Sequence, residues 1–166
     1  MTRDEHPAAR SWSEGLDEAV GHAAASLDPS NRPVFEDYAR LLFARLESVR
    51  TIVLPDVTLA AIARDTFHLL EQRSPGRASI NIGRATLPPE GARDEAAVVP
   101  HELSVLTIIN DDKPFLVSSV MAEIQARGLK TFLVLHPVCA TQRDEAHRLT
   151  GLEAWARPVA QERGHG

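Results

Sequence analysis

Leu103-Ser-Val-Leu-Thr-Ile-Ile-Asn-Asp-Asp-Lys-Pro-Phe-Leu-Val-Ser-Ser-Val-Met-Ala-Glu-Ile-Gln-Ala-Arg-Gly-Leu-Lys-Thr-Phe-Leu-Val-Leu-His-Pro-Val138 is the stretch whose reading decides the fold of this 166-residue chain. It reads as a strand, a charged turn, a helix and a second strand. Residues 103–109 are apolar on both faces except for Ser104 and Thr107, the pattern of a strand with a central place in a sheet. Asp112 as cap and Pro114 in the first turn open the helix, and Gly128 can close it in the left-handed conformation. The spacing predicts a buried stripe of Val117, Val120, Met121 and Ile124, with Glu123 and Arg127 paired on the solvent side. Burying those four side chains is worth roughly 6–10 kcal/mol before entropy. Residues 130–138 then alternate, Phe132 and Val134 against Leu133 and Leu135, which describes a third strand weakened at its far end by Pro137. Such a strand-helix-strand unit takes a right-handed crossover.

Upstream, the hydrophobic period is helical. Trp12, Leu16, Ala19, Val20 and Ala23 follow the potential caps Ser11 and Ser13, and this first helix ends near Leu27. A second stripe, Phe35, Tyr38, Ala39, Leu42, Leu46 and Val49, starts behind Pro33, and the two helices can pair across Asp28-Pro29-Ser30-Asn31. A third helix, capped by Asp56 and stopped by Ser74-Pro75-Gly76, buries Leu59, Ile62, Ala63, Phe67 and Leu70. The period then becomes two: Ala78, Ile80 and Ile82 on one side, Ser79 and Asn81 on the other, form a short strand. Residues 87–100 are a loop rich in proline and charge, and after Cys139 the chain turns charged with no evident closing strand. The expected organisation is an α+β chain with a helical segment at 1–75, a strand-helix unit at 76–141 and a charged tail at 142–166.

Composition narrows the function classes. With 43% hydrophobic and 25% charged residues the chain can build a core, and a formal charge of −5 disfavours nucleic acid and anionic membranes as partners. The 5% aromatic content leaves no stacking platform for bases. A single cysteine, Cys139, rules out an internal disulfide and fits a reducing compartment, so the cytoplasm is the expected location. The N-terminus Met-Thr-Arg-Asp-Glu-His-Pro lacks the pattern of a signal peptide, and no apolar run approaches the roughly 20 residues of a membrane span.

The run Val105-Leu-Thr-Ile-Ile-Asn-Asp-Asp-Lys-Pro-Phe-Leu-Val-Ser-Ser-Val, with Gly128-Leu and Leu133-Val-Leu-His-Pro-Val behind it and Glu71-Gln-Arg-Ser-Pro-Gly-Arg ahead, resembles the N-terminal region of the large bacterial NAD-specific glutamate dehydrogenases. The resemblance covers residues 66–141. It implies an ACT-like, ferredoxin-like βαβ unit, complete or incomplete, of the sort that binds amino acids or pairs subunits ahead of a catalytic domain. The full enzyme oxidatively deaminates L-glutamate to 2-oxoglutarate with NAD. This chain shows no G-x-G-x-x-G turn, and its only lysines are Lys113 and Lys130, so no catalytic or cofactor-binding residue is assigned and no cofactor is expected in it. Ser118 stands where that family usually has a carboxylate.

Two functions follow as expectations: a regulatory or assembly region that contacts other subunits or further domains of the same enzyme, or a free-standing amino acid sensor. The candidate ligand or interface site is Asn110, Asp111, Asp112, Phe115 and Leu116, where a strand ends and a helix begins. There the N–H groups of Phe115 and Leu116 can take a carboxylate while an aspartate meets an ammonium; the plainer reading makes Asp112 a cap and Asp111 a solvated charge. Adjacent aspartates in a turn do not face each other as a hydrolase pair requires. His136 and Cys139 alone complete no metal or nucleophilic site, so no metal is expected. His101, His147 and His165 suit the surface, Trp12 and Trp155 suit anchors for the terminal segments, and residues 143–148 read as a solvated charged stretch.

Overall fold

A computed structural model describes residues 14–44, 46, 54–86 and 102–154. Trp12, its caps Ser11 and Ser13, Val49, the loop at 87–100, His101, Trp155 and His165 lie outside the described residues. The element order is α1 (Glu14–Ala25), α2 (Arg32–Phe43), α3 (Asp56–Gln72), β1 (Ser79–Thr86), β2 (Glu102–Ile109), α4 (Leu116–Ala126), β3 (Cys139–Arg143) and β4 (Leu149–Ala154). The chain is α+β, as its change of period requires.

The core sits among the first three helices, which pack against one another pairwise. Leu16, Val20, Phe35, Ala39, Leu42, Leu59, Ala63, Phe67 and Leu70 are buried there, nearly all of them members of the stripes read from the sequence. Phe67 meets Phe35 edge-on with ring centres 5.4 Å apart, and the tilted Tyr38 ring lies 5.7 Å from it. The Tyr38 hydroxyl donates to Thr66 Oγ1 at 2.9 Å, and that hydroxyl in turn reaches the Ile62 carbonyl at 2.9 Å. Burial pushes the Tyr38 phenol up to about 12, against the smaller opposite pull of its hydrogen bond to Thr66. Between α1 and α2, Asp28 accepts the backbone N–H and the hydroxyl of Ser30, and these bonds hold its carboxyl below the usual range. Asp56 is the first residue of α3 rather than its cap: Pro55 takes the cap position, and the carboxylate acts on the helix from within its first turn.

β1 and β2 pair antiparallel, Ser79 opposite Ile109 through Thr86 opposite Glu102. They form a two-stranded sheet, so β2 lies at an edge and not in the central place its apolar run suggests. Its burial alternates along the strand, because α3 covers one face only. The inner face carries Asn81, Gly83 and Ala85 with Leu103, Val105, Thr107 and Ile109; Ile80 and Ile82 face the other way and are 66% and 73% exposed.

Beyond β2 the structure departs from expectation in three places. No residue of α4 is buried: Val117, Val120, Met121 and Ile124 are half-covered, so the stripe delivers less than its full transfer energy. Residues 130–138 keep the alternation, with Leu133 and Leu135 packed on the core, but join no ladder; an alternating pattern fixes which side chains point inward, whereas a strand also needs an edge beside it. The pairing comes later, where residues 139–154 form an antiparallel hairpin of β3 and β4, with Cys139 opposite Ala154.

Residues 143–148, read as a solvated charged stretch, are exposed from Glu145 to Arg148 and also form the turn of that hairpin. Asp144 accepts the N–H groups of Ala146 and Arg148 at 3.0 and 2.9 Å and the Arg148 guanidinium at 2.8 Å, which holds its carboxyl below the usual range. Arg143 donates to the Leu70 and Glu71 carbonyls at 2.7 and 3.1 Å, at the C-terminal end of α3, and to the His147 carbonyl at 2.8 Å. Cationic donors belong at that end of a helix. Buried Leu149 fastens the hairpin to the core, and β4 packs on α2.

Candidate functional site

The turn between β2 and α4 is open to solvent: Asp111, Asp112 and Phe115 are exposed, while Asn110 and Leu116 are half-buried. The helix begins three residues later than a cap at Asp112 predicts. Phe115 occupies the cap position with no side-chain cap bond, in the left-handed region at φ 65°. A Cβ-bearing aromatic residue is disfavoured there, at a cost of about 1–2 kcal/mol. The Phe115 ring is 80% exposed and recovers none of this through core packing. Its carbonyl accepts the Ser119 N–H at 2.9 Å and the Ser118 hydroxyl at 3.0 Å, so Ser118 is turned back onto the start of its own helix.

Asp111 is not a lone solvated charge. It pairs with Arg73, whose side chain is only 10% exposed and also donates to the Arg77 carbonyl at 2.7 Å. The pair ties the end of α3 to the turn before α4, and local sequence spacing gave no signal for a partner so distant along the chain. The pair engages one carboxylate oxygen of Asp111, whose side chain stays half exposed. The Leu116 N–H, one of the two groups expected to take a carboxylate, faces the Lys113 carbonyl at 3.5 Å.

At its far end α4 closes as its sequence requires. Gly128 adopts φ 69°, its N–H bonds the Gln125 carbonyl at 2.9 Å, and the Leu129 N–H bonds that of Ile124 at 3.2 Å, the paired bonds of a Schellman motif. A groove of about 470 Å³ runs along the helix beside Ser118, Met121 and Leu129.

The remaining candidates are separated. His136 is exposed and belongs to no strand; Cys139 is half-buried in β3, and burial pushes its thiol up, away from nucleophilic chemistry. Among the described residues no three His, Cys, Asp or Glu side chains gather as metal ligands, and no helix is long and apolar enough to cross a membrane.

The outer face of the β1–β2 sheet was not singled out by sequence reading. It carries Ile80 opposite Ile108, Ile82 opposite Leu106 and Arg84 opposite Ser104, with Glu102 beyond. Ile82 and Ile80 are among the most exposed large apolar side chains described, and Leu106 is 42% exposed. The period-two pattern of residues 78–82 does reveal the face, but not which side of the sheet α3 takes.

A helical bundle followed by a strand-helix unit with an uncovered sheet face and an exposed turn makes an α+β module, consistent with a partial ACT-like unit. Comparison with known proteins gives it a family: residues 38–165 match the glutamate dehydrogenase ACT1 domain, and the chain belongs to that family. It is similar to the NAD-specific glutamate dehydrogenase of Halomonas elongata, 25% identical over 125 residues, which cover 74% of this chain and 7% of that protein. The chain thus corresponds to a small part of its relative's length. No solved structure matches it.

Proposed function

We propose that this chain is a regulatory assembly element of a glutamate dehydrogenase-type enzyme. It acts in the cytoplasm through contacts made by the β2–α4 unit and the sheet it completes, while NAD-dependent oxidation of glutamate belongs to other parts of the full enzyme. The observation that carries the reading is the uncovered apolar face of Ile80, Ile82 and Leu106 on a sheet that has two strands among the described residues. Both outer edges of that sheet are without a ladder partner among the described residues, and an open edge beside an apolar face invites another surface.

Energetics make this a weak or multivalent contact. Covering the exposed parts of the three aliphatic side chains is worth about 3–5 kcal/mol per copy, and association costs at least about 4 kcal/mol in lost freedom. The face therefore holds partners when it is concentrated, or tethered within a larger enzyme that raises its effective concentration. Sedimentation velocity across a concentration series tests the reading: reversible association should appear toward high concentration and be lost in Ile82→Ser. A strict monomer throughout would end it.

A further inference from the structure

Gly83 lies in the middle of β1 without a backbone reason to be glycine. It is not among the glycines with positive φ, and the ladder passes through it without a bulge, Gly83 opposite Val105. Among the described residues a Cβ built there would meet only Asn81 Nδ2, at 3.7 Å, an ordinary contact. A glycine inside a strand weakens it; with no turn, bulge or tight contact to call for one, it marks a place where a ligand or another chain comes close to the backbone. On that side of the sheet is a cleft of about 310 Å³, walled by Ala61 and Ile62 of α3 and by Gly83 and Val105 of the strands. Asp65, Asn81 and Thr107 line the same cleft, the last two directly opposite each other in the ladder. The Asn81 and Thr107 side chains have no hydrogen-bond partner among the described residues. Arg64 takes one oxygen of Asp65, Oδ1, at 3.3 and 3.1 Å, and the Asp65 side chain stays 65% exposed. Arg84, the other charged residue at the wall, turns its guanidinium to Glu102.

We propose that this cleft binds a small aliphatic ammonium compound that also carries a hydroxyl or carbonyl group. The aliphatic body lies over Gly83, in the space a side chain would take, against Ala61, Ile62 and Val105. Its ammonium goes to the Asp65 carboxylate, and its oxygen accepts from the Asn81 amide and meets the Thr107 hydroxyl. The cleft is at the lower end of the range of ligand pockets, about 300–1,000 Å³, so the ligand is small. A carboxylate on the ligand would be brought close to Asp65 while the Arg84 guanidinium is engaged by Glu102, so a monocation is favoured over a zwitterion. An exposed carboxylate attracts weakly; binding is in the millimolar range, and the charge selects the ligand more than it sets the affinity. The site is on the opposite face of the sheet from Ile80 and Ile82 and stands independently of the assembly reading.

The probe is leucinol, compared with leucine, which carries a carboxylate in place of the alcohol, and with 4-methylpentan-1-ol, which lacks the ammonium. Titrations of the isotope-labelled chain are followed by two-dimensional NMR. Leucinol should give saturable shifts at the Gly83 and Thr107 amides and at the Asn81 side-chain amide, and the other two compounds should bind at least about threefold more weakly. Gly83→Val fills the space over the strand and should weaken leucinol binding at least about tenfold, while the melting temperature holds or rises because valine suits a strand better than glycine. Should that variant melt lower, Gly83→Ala, a single added methyl, makes the same comparison. Asp65→Asn keeps the shape and should weaken binding about threefold. No saturable shift up to about 50 mM leucinol overturns the proposal. Binding left unchanged by the glycine variants in a folded chain overturns it as well, since the ligand then sits elsewhere. Leucine or 4-methylpentan-1-ol binding as tightly as leucinol refutes the assigned class of ligand.

Discussion

Replacing Arg143 by methionine should loosen the C-terminal hairpin from the helical core while leaving the three-helix bundle folded. Arg143 makes charge-assisted hydrogen bonds to two carbonyls at the end of α3 and a third bond to the His147 carbonyl within its own hairpin. Hydrogen bonds to charged groups contribute about 1.5–3 kcal/mol each when buried, and a cation at a helix C-terminus adds about 0.3–1 kcal/mol. The site is only partly buried and methionine keeps the aliphatic packing, so the expected net loss is about 2–3 kcal/mol. Part of it appears as local opening, because Leu149 still anchors β4. Urea unfolding measures the total, and hydrogen exchange over residues 139–154 measures the local share; amides of the hairpin should exchange faster while those of α1 and α3 change little. Arg143→Lys should recover less than half, since a single ammonium cannot span carbonyls that a guanidinium fork bridges. A loss below about 0.5 kcal/mol with unchanged exchange would show that apolar packing alone holds the hairpin.

Other expectations follow from the same coordinates. Phe67→Ala opens a cavity at the Phe35–Phe67–Tyr38 cluster and should cost about 3–5 kcal/mol in chemical denaturation. The Tyr38 phenol is held neutral in the folded state up to about 12 against an ordinary value of 10.0, so its contribution is complete below pH 10 and declines as pH rises from about 10 to 12, a loss of about 3 kcal/mol visible in alkaline melts that Tyr38→Phe should abolish. Phe115→Gly relieves the left-handed backbone and should raise stability by about 1 kcal/mol in urea unfolding. Cys139, with its thiol pushed up by burial, should alkylate more slowly at neutral pH in the folded chain than after denaturation.

The helices were legible because each buries one stripe against its immediate neighbours, and three- or four-residue spacing records that burial directly: Leu59, Ala63, Phe67 and Leu70 lie inside as read. The end of α4 was legible because Gly128 has a local reason to be there. Its start was not, since Phe115 occupies a conformation its residue type disfavours, held by the turn around it. The alternation of residues 130–138 says which side chains turn inward but nothing about a neighbouring strand, and the charged residues 143–148 concealed a hairpin because Arg143 bonds to carbonyls of a distant helix and Asp144 folds back onto N–H groups of its own turn. Within the candidate site the exposure of the turn was readable; the Arg73 partner of Asp111 and the uncovered outer face depend on tertiary packing that no local pattern contains.

The most direct measurement places a single reactive thiol on the outer face, as Ile82→Cys in a Cys139→Ser background, and follows its rate of maleimide labelling as protein concentration rises. The rate constant should fall as copies cover one another. A rate constant that stays the same from dilute to concentrated protein would contradict the claim that this face is an assembly surface.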